Sequence, residues 1–441
     1  MSAGVAAGRE TPPPRHVYVH VPFCRAKCDY CDFASVAVGE EPSSALLDEF
    51  VAAVEAEWRL EQAAHGVRRL QTLYVGGGTP SLLGPARLEQ LLELFRPFLT
   101  PHAEVTVEAN PEDVTPAFAE WAAGGKAAAA GREAPLRGLR VSLGVQSFDA
   151  GLRTALGRRA TADPAAAFAR LRAAGVSELS VDLIFGVPGQ TPAMLEADLA
   201  AVARLRPAHV SWYELDVVPG TPLVKRREPR PSDDARAGMY RRVVAGLARL
   251  GYRWYEVSNF ALPGHRSRHN LAYWRGRDYL GLGPGAVSTV GTRRRRDASD
   301  VSTVSGRGGR DVPDVSTVSA PRRRDSSDVS AQRWRDASDV SARRWRDLPD
   351  VSAYCAALAA GREPPRRHER LDEAAQQRER LLLAARIGAP VPLATLAGAL
   401  DAAALPTLAA AGFISLHGGT LTVTRKGRFV ANEVCVRLFR A

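Results

Sequence analysis

Six apolar runs with the composition of buried strands recur between residues 17 and 217, separated by segments of helical periodicity. The runs are Val17–Val21, Leu70–Val75, Ala103–Pro111, Leu139–Phe148, Glu178–Gln190 and Ala208–Val217. Ser43 and Ser44 are placed to cap a helix reaching about His65. Further helices are expected over Pro85–Phe98 and from Pro116 onward. Repeated β–α alternation leaves few topologies open. Parallel neighbours need crossover connections, so the chain is expected to form an α/β parallel sheet with outer helices, either open or as a partial (β/α)6 barrel. In such folds chemistry sits at the C-terminal ends of the strands. The stretches "GGGTP", "EANP", "GVQSF" and "GVPGQ" all fall there.

Other segments read differently. Residues 1–15 are expected to form a disordered arm, 16–245 the core, 246–292 a link, 293–342 an insert and 343–441 a C-terminal domain. The stretch 122–138 is low in complexity and reads as a surface extension. Within the insert, RDxxDVS units begin at Arg296, Arg310, Arg324, Arg335 and Arg346, in steps of 14, 14, 11 and 11 residues. Units this short and polar cannot bury a core of their own. The last copy runs into an apolar helix and reads as the original, with the others looped out of the fold. The C-terminal pattern is three helices, at "AAQQRERLLLAARIG", "LATLAGAL" and "ALPTLAAAG", then a hairpin at "HGG". It is an α+β arrangement with a winged-helix-like end. Its third helix carries no Lys or Arg, which argues against base readout despite a net charge of +11. No nucleic-acid partner is expected. No run approaches the roughly 20 apolar residues of a membrane span, and the N-terminus lacks a secretory core. The expected location is cytoplasmic.

The chain has five cysteines, and three of them, Cys24, Cys28 and Cys31, crowd one loop after the first strand. A reducing compartment makes such thiols metal ligands or redox groups. A structural zinc would want a fourth Cys or His; Phe33 closes off one candidate, and His20 lies on the preceding strand. A redox pair is a second alternative. The favoured reading is a 4Fe–4S cube, in which three cysteines leave one iron without a protein ligand. Cys355 and Cys435 lie in apolar helical contexts and read as packing residues.

The C-x3-C-x2-C loop, with Tyr30 just before its third cysteine, resembles the radical S-adenosylmethionine superfamily. The resemblance implies that the open iron chelates the amino and carboxylate groups of S-adenosylmethionine. "GGGTP", with Gly77, Gly78 and Thr79, resembles the superfamily's glycine-rich stretch. Tyr18, Glu108, Gln146, Arg158 and Asp182 match positions that contact the cofactor. Past the barrel, "HNLAYWRGRDYLGLGPGA" resembles the H-N-x-x-Y-W segment of the coproporphyrinogen oxidase-like branch. Within that branch the chain is most similar to the haem chaperones of the HemW type. The dehydrogenase members carry a further cysteine where this chain has Phe33.

The resemblance implies a carrier that binds haem and hands it to acceptor haemoproteins or cytochromes, membrane-associated ones included, and it admits a homodimer. The alternative is an oxygen-independent coproporphyrinogen III dehydrogenase, a radical oxidative decarboxylase, so enzyme status stays open. His269 is the candidate haem ligand or else a satisfied interdomain histidine, with His265 as an alternative. Asn270, Tyr273 and Trp274 would support the porphyrin, and Arg266, Arg268 and Arg275 its propionates. Val287 stands where related chains often carry another histidine.

Overall fold

The computed structural model describes residues 12–124, 139–158, 161–226, 228–293 and 340–440. The expected strands form. They are β1 (His16–Val21), β2 (Leu70–Gly77), β3 (Leu99–Ala109), β4 (Leu139–Gln146), β5 (Glu178–Phe185) and β6 (His209–Glu214). All six are parallel and adjacent in chain order. The segment 246–292, expected as a link, supplies both edges of this sheet. A hairpin of β7 (Arg253–Glu256) and β8 (Asn259–Ala261) pairs antiparallel with β6. Strand β9 (Leu280–Leu282) pairs parallel with β1. The nine strands run β9-β1-β2-β3-β4-β5-β6-β8-β7, so the edges are β9 and β7 and the sheet stays open.

The crossover helices are α1 (Ser44–Ala64), α2 (Gly84–Phe95), α3 (Pro116–Ala122), α4 (Ala150–Ala155), α5 (Pro164–Ala173), α6 (Pro192–Leu205) and α7 (Asp233–Arg249). Three of them start on the same device, a capping side chain followed by proline. Thr115, Asp163 and Thr191 accept hydrogen bonds from backbone N–H groups of the first turn. Along α1 the buried positions Leu47, Phe50, Val51, Val54 and Trp58 follow helical spacing. Trp58 packs against Phe95 and Phe98, with ring centroids 4.8 and 5.2 Å away.

Each core strand alternates. Val17, Val19 and Val21, Leu73 and Val75, Val105 and Val107, and Val141 and Leu143 belong to the buried core, as do Val181, Leu183, Val210 and Trp212. The intervening positions carry His16, Tyr18 and His20; Thr72 and Tyr74; Glu104, Thr106 and Glu108; Arg140 and Ser142; Ser180 and Asp182; and Ser211 and Tyr213. Successive side chains point to opposite faces of a strand, so the sheet has an apolar face under the helices and a polar inner face.

Strand β10 (Val287–Arg293) pairs antiparallel with β11 (Val340–Asp347), and β11 with β12 (Arg366–Arg370). Strand β11 thus includes residues 340–342, expected at the end of the insert, because Val340, Ser341 and Ala342 pair with Arg293, Thr292 and Gly291. The last repeat copy is built into the fold. Trp345 stacks on His65 at 5.6 Å, and Asp347 is buried against Arg366. The upstream copies, the expected arm to residue 11 and most of the 122–138 stretch lie outside the described residues.

Helices α8 (Arg268–Trp274), α9 (Val351–Ala359) and α10 (Glu373–Ile387) follow in chain order. The C-terminal domain has its own core, around Leu381, Val391, Leu408, Leu421, Val434 and Leu438. Its sheet consists of β13 (Val391–Pro392), β14 (Ile414–His417) and β15 (Thr420–Val423), with β15 in the middle. A helix at Ala404–Ala410 precedes the hairpin, which gives the winged-helix order. The expected helix at "LATLAGAL" is only a 3₁₀ turn, Leu393–Leu396. Gln377 Oε1 accepts the N–H groups of Gly398 and Ala399, which a continuing helix would direct at its own carbonyls.

Candidate functional site

The upper end of the inner face, at the C-termini of the strands, holds a cavity of about 820 Å³. Cys24, Cys28, Cys31 and Tyr30 line it from the loop after β1. Gly77, Gly78 and Thr79 line it from the end of β2 and just past it, Glu108 from β3, Gln146 from the end of β4, Arg158 from beyond β4, and Asp182 from β5. Eleven expected residues therefore meet around one space. Tyr74, Asn110, Ser142, Gly144 and Tyr213 also border it, although sequence reasoning did not select them. The inward register of their strands was the signal that could have found four of them; Asn110 follows β3.

The cysteine loop is pinned from several sides. Asp29 N–H donates to the Leu156 carbonyl (3.1 Å), and the Asp29 carboxylate takes Arg226 at 2.8 Å. Gly157, at φ +73°, admits that carboxylate, since a Cβ there would stand 2.3 Å from it. A Cβ on Gly78 would lie 2.6 Å from the Phe23 carbonyl and 3.1 Å from Cys24 Sγ; one on Gly77, at φ +111°, would strike the His20 ring. The glycine triplet is thus the cradle for the loop. Thr79 Oγ1 donates to Cys24 Sγ at 3.5 Å and accepts from Asn110, which in turn accepts from Arg158 at 2.8 Å. Gln146 takes a left-handed backbone, φ 63°, which is unusual for a residue with a side chain.

Glu108 accepts from the Tyr74 hydroxyl (2.7 Å) and from Gly77 N–H (3.0 Å). Burial raises its carboxyl to about 7, with Tyr74 opposing the rise and Asp182 adding to it. Burial raises Asp182 to about 6, against hydrogen bonds from Ser211 and Ser142. Burial also raises Cys28 to about 11, opposed by Arg158, and raises Cys31. These thiols must lose protons when they ligate a metal.

The cavity suits the groups expected there. Three half-buried free thiols stand at its wall. Beside them, two partly buried acids, Glu108 and Asp182, border the same space, and Arg158 stands at its wall as a partner for a carboxylate. Cys24, Cys28 and Cys31 would hold an iron–sulfur cluster, and the glycine stretch with Glu108, Asp182 and Arg158 would hold S-adenosylmethionine.

The remaining expected residues lie elsewhere. Tyr18 does not line the cavity; it is partly buried, its hydroxyl 2.9 Å from His20 Nδ1. Val287 opens β10 opposite Arg346. His269 sits at the lower end of the inner face and is only 1% exposed. Its Nδ1 is 2.7 Å from Thr72 Oγ1, and its Nε2 is buried without a hydrogen-bond partner. Burial holds it well below the usual histidine range, so it is neutral. Tyr273 meets it edge-on at 4.8 Å, and Arg386 lies over the Trp274 ring at 4.3 Å. Asn270 N–H is capped by Ser267. His265 is half-exposed and 2.7 Å from Glu178; Arg266 lies over Tyr255, and Arg268 bonds the His102 carbonyl. Half-buried Arg275 lies near Arg277 and Arg266. Cys355 and Cys435 are buried among apolar side chains.

Comparison with known proteins agrees with this geometry. Residues 18–202 match the radical SAM superfamily. The heme chaperone HemW of Mycobacterium tuberculosis is 33% identical over 429 residues, covering 96% of this chain and 94% of that protein. The heme chaperone HemW of Escherichia coli is 36% identical over 283 residues, covering 63% and 71%. Among solved structures, coproporphyrinogen III oxidase (HemN) from Escherichia coli, a radical SAM enzyme, superposes with a TM-score of 0.70 at 20% identity, covering 97% of this chain and 90% of that one, and so shares the fold. The chain is a member of the radical SAM superfamily and, within it, of the HemW family.

Proposed function

We propose that this protein is a haem carrier, which binds haem and passes it to acceptor haemoproteins or cytochromes in the cytoplasm or at a membrane. It would carry a 4Fe–4S cluster on Cys24, Cys28 and Cys31 and S-adenosylmethionine in the adjoining cavity. Such a cluster supplies an iron with an open position and one electron at low potential. The observation that carries the proposal is Phe33. It lines the cavity beside the cluster loop and is 57% exposed. It takes the place where dehydrogenase members of the branch have their extra thiol. The names of the relatives point the same way.

His269 is the proposed iron ligand. In the neutral tautomer whose Nδ1–H donates to Thr72 Oγ1, Nε2 presents a lone pair, and that atom has no hydrogen-bond partner. Ligation requires α8 to shift, because the ring is closed off. A second reading rests on accessibility. His265 is half-exposed, and Glu178 holds its Nδ1.

The test is a haem titration of anaerobically reconstituted protein, followed by Soret absorbance, for wild type, His269→Ala and His265→Ala. The carrier reading expects stoichiometric binding, weakened by His269→Ala. It also expects no protoporphyrinogen when coproporphyrinogen III, a reductant and S-adenosylmethionine are supplied. Turnover of that substrate would sink it. Weakening by His265→Ala alone would move the ligand to His265. Among the described residues no helix is long and apolar enough to cross a membrane.

A further inference from the structure

One side chain touches both ends of the inner face. The Tyr74 ring stacks on His269 at 5.2 Å and 29°, and its hydroxyl donates to Glu108 at the cavity wall. Thr72, two residues earlier on the same strand, anchors His269 and is 2.9 Å from His16 Nδ1. Tyr18 lies 6.1 Å from the Tyr74 ring, and through His20 it reaches the Ala34 carbonyl just beyond the cysteine loop. The column Tyr273, His269, Tyr74 and Glu108 is therefore continuous from α8 to the Gly77 N–H group.

We propose that Tyr74 is a positioning residue that couples the H-N-x-x-Y-W segment to the S-adenosylmethionine cavity. The seat of His269 against its ring sets where its hydroxyl aims the Glu108 carboxylate. The inference rests on the reading of the cavity as the S-adenosylmethionine site and of His269 as the haem ligand. The carboxylate has two protein donors, Gly77 N–H and the Tyr74 hydroxyl. Loss or tilting of the second changes both its orientation and its readiness to ionise. Drawing α8 outward onto a metal would release the stack. By linkage, the cofactor and haem would then each change the affinity of the other by the same factor. Charged or titratable neighbours that bear on Glu108 are Tyr74 and Asp182, with Tyr18 and Tyr213 beyond them.

The experiment is equilibrium dialysis of S-adenosylmethionine against the full-length, cluster-reconstituted, haem-free protein, across the pH range that spans Glu108's folded value. Tyr74→Phe is expected to weaken binding about 10-fold, as for a lost hydrogen bond to a charged group. His269→Phe and Thr72→Val do not touch the cavity and keep side-chain volume; each is expected to weaken it roughly 2- to 5-fold. The double variant Tyr74→Phe/His269→Phe should bind about as weakly as Tyr74→Phe alone, because the two act in series. In all of them the pH at which affinity reaches its half-maximum should rise, since the hydroxyl favours the ionised acid; a general loosening would lower affinity equally at every pH. Wild-type affinity and profile in His269→Phe and Thr72→Val would overturn the coupling, as would strictly additive effects. No binding by the wild type would overturn the coupling and the cofactor reading together. The expected shifts in a protein that fails to take up haem would leave the coupling standing and remove only the haem reading.

Discussion

Glu108 and Asp182 face a cavity, whereas Glu104 and Arg140, on the same inner face of the same sheet, face each other and α8. Glu104 accepts the N–H groups of Arg268 and His269, both at 2.9 Å, and lies 3.8 Å from Arg140. Arg140 also bonds Glu178 and the His265 carbonyl, and His209 is held between Ser180 and Tyr255. The lower end is closed by polar groups packed on one another and on a helix start, with His269 Nε2 left unpartnered. The upper end is held open by glycine turns that let the cysteine loop fold over it. Buried polar residues are thus not by themselves evidence of a site. The informative difference is whether the polar groups border open space, as Glu108 and Asp182 do, or only one another and a packed helix.

The sharpest break between the two ends should come from the cysteines. Replacing Cys24, Cys28 or Cys31 by Ser should abolish cluster assembly, read as loss of iron and of iron–sulfur absorbance after reconstitution. The thermal midpoint of the metal-free protein should barely move. Next is Glu104→Ala, which leaves two helix N–H groups without their acceptor and takes one of two carboxylate partners from Arg140; it should cost about 3–5 kcal/mol in urea unfolding. The variant should still take up iron; loss of iron uptake in a folded variant would mean the two ends are not separable.

Third is pH. Glu108 rises from 4.5 to about 7 on folding and Asp182 from 3.8 to about 6. Their stabilising contribution is complete below the unfolded values. It is lost as pH rises through the folded ones, because the unfolded chain gives up these protons first. Over that window Glu108 alone should remove about 3 kcal/mol. Urea midpoints at about pH 5 and about pH 8 should therefore converge in Glu108→Gln; a slope unchanged by the substitution would place the titration elsewhere. The smallest effect is expected at Phe33. Its exposure means Phe33→Ser should alter stability by less than about 0.5 kcal/mol, while any effect on haem uptake would mark the cavity mouth as part of that route.

The β–α alternation was legible because each strand is apolar on its helix-facing side and every crossover helix but α2 starts on a capping side chain. The cavity was legible through glycines and cysteines, which have few other reasons to cluster. What stayed hidden was the inner face. "HVYVHV", "EVTVEA" and "RVSLGV" alternate strictly, although a parallel strand covered on both faces tends to be continuously apolar. Read that way, they announce a polar interior and point to Ser142, and the same alternation in "LQTLYV" and "HVSWYE" points to Tyr74 and Tyr213. The meeting of Glu104 with the start of α8, 164 positions later in the chain, has no local signature at all. Nor does the use of residues 246–292 for both sheet edges, since strands of three or four residues carry too little pattern.

Arg293 and Val340 face each other as the last rung of β10 and β11. The two strand ends are neighbours, so no contact of the hairpin itself sets how many residues join them. Tandem units of 11 or 14 residues could be gained or lost by a gene there without shifting the register of either strand. The same rung is a natural port for a reporter or a tether, carried by a hairpin whose other end is clamped through Asp347 and Arg366.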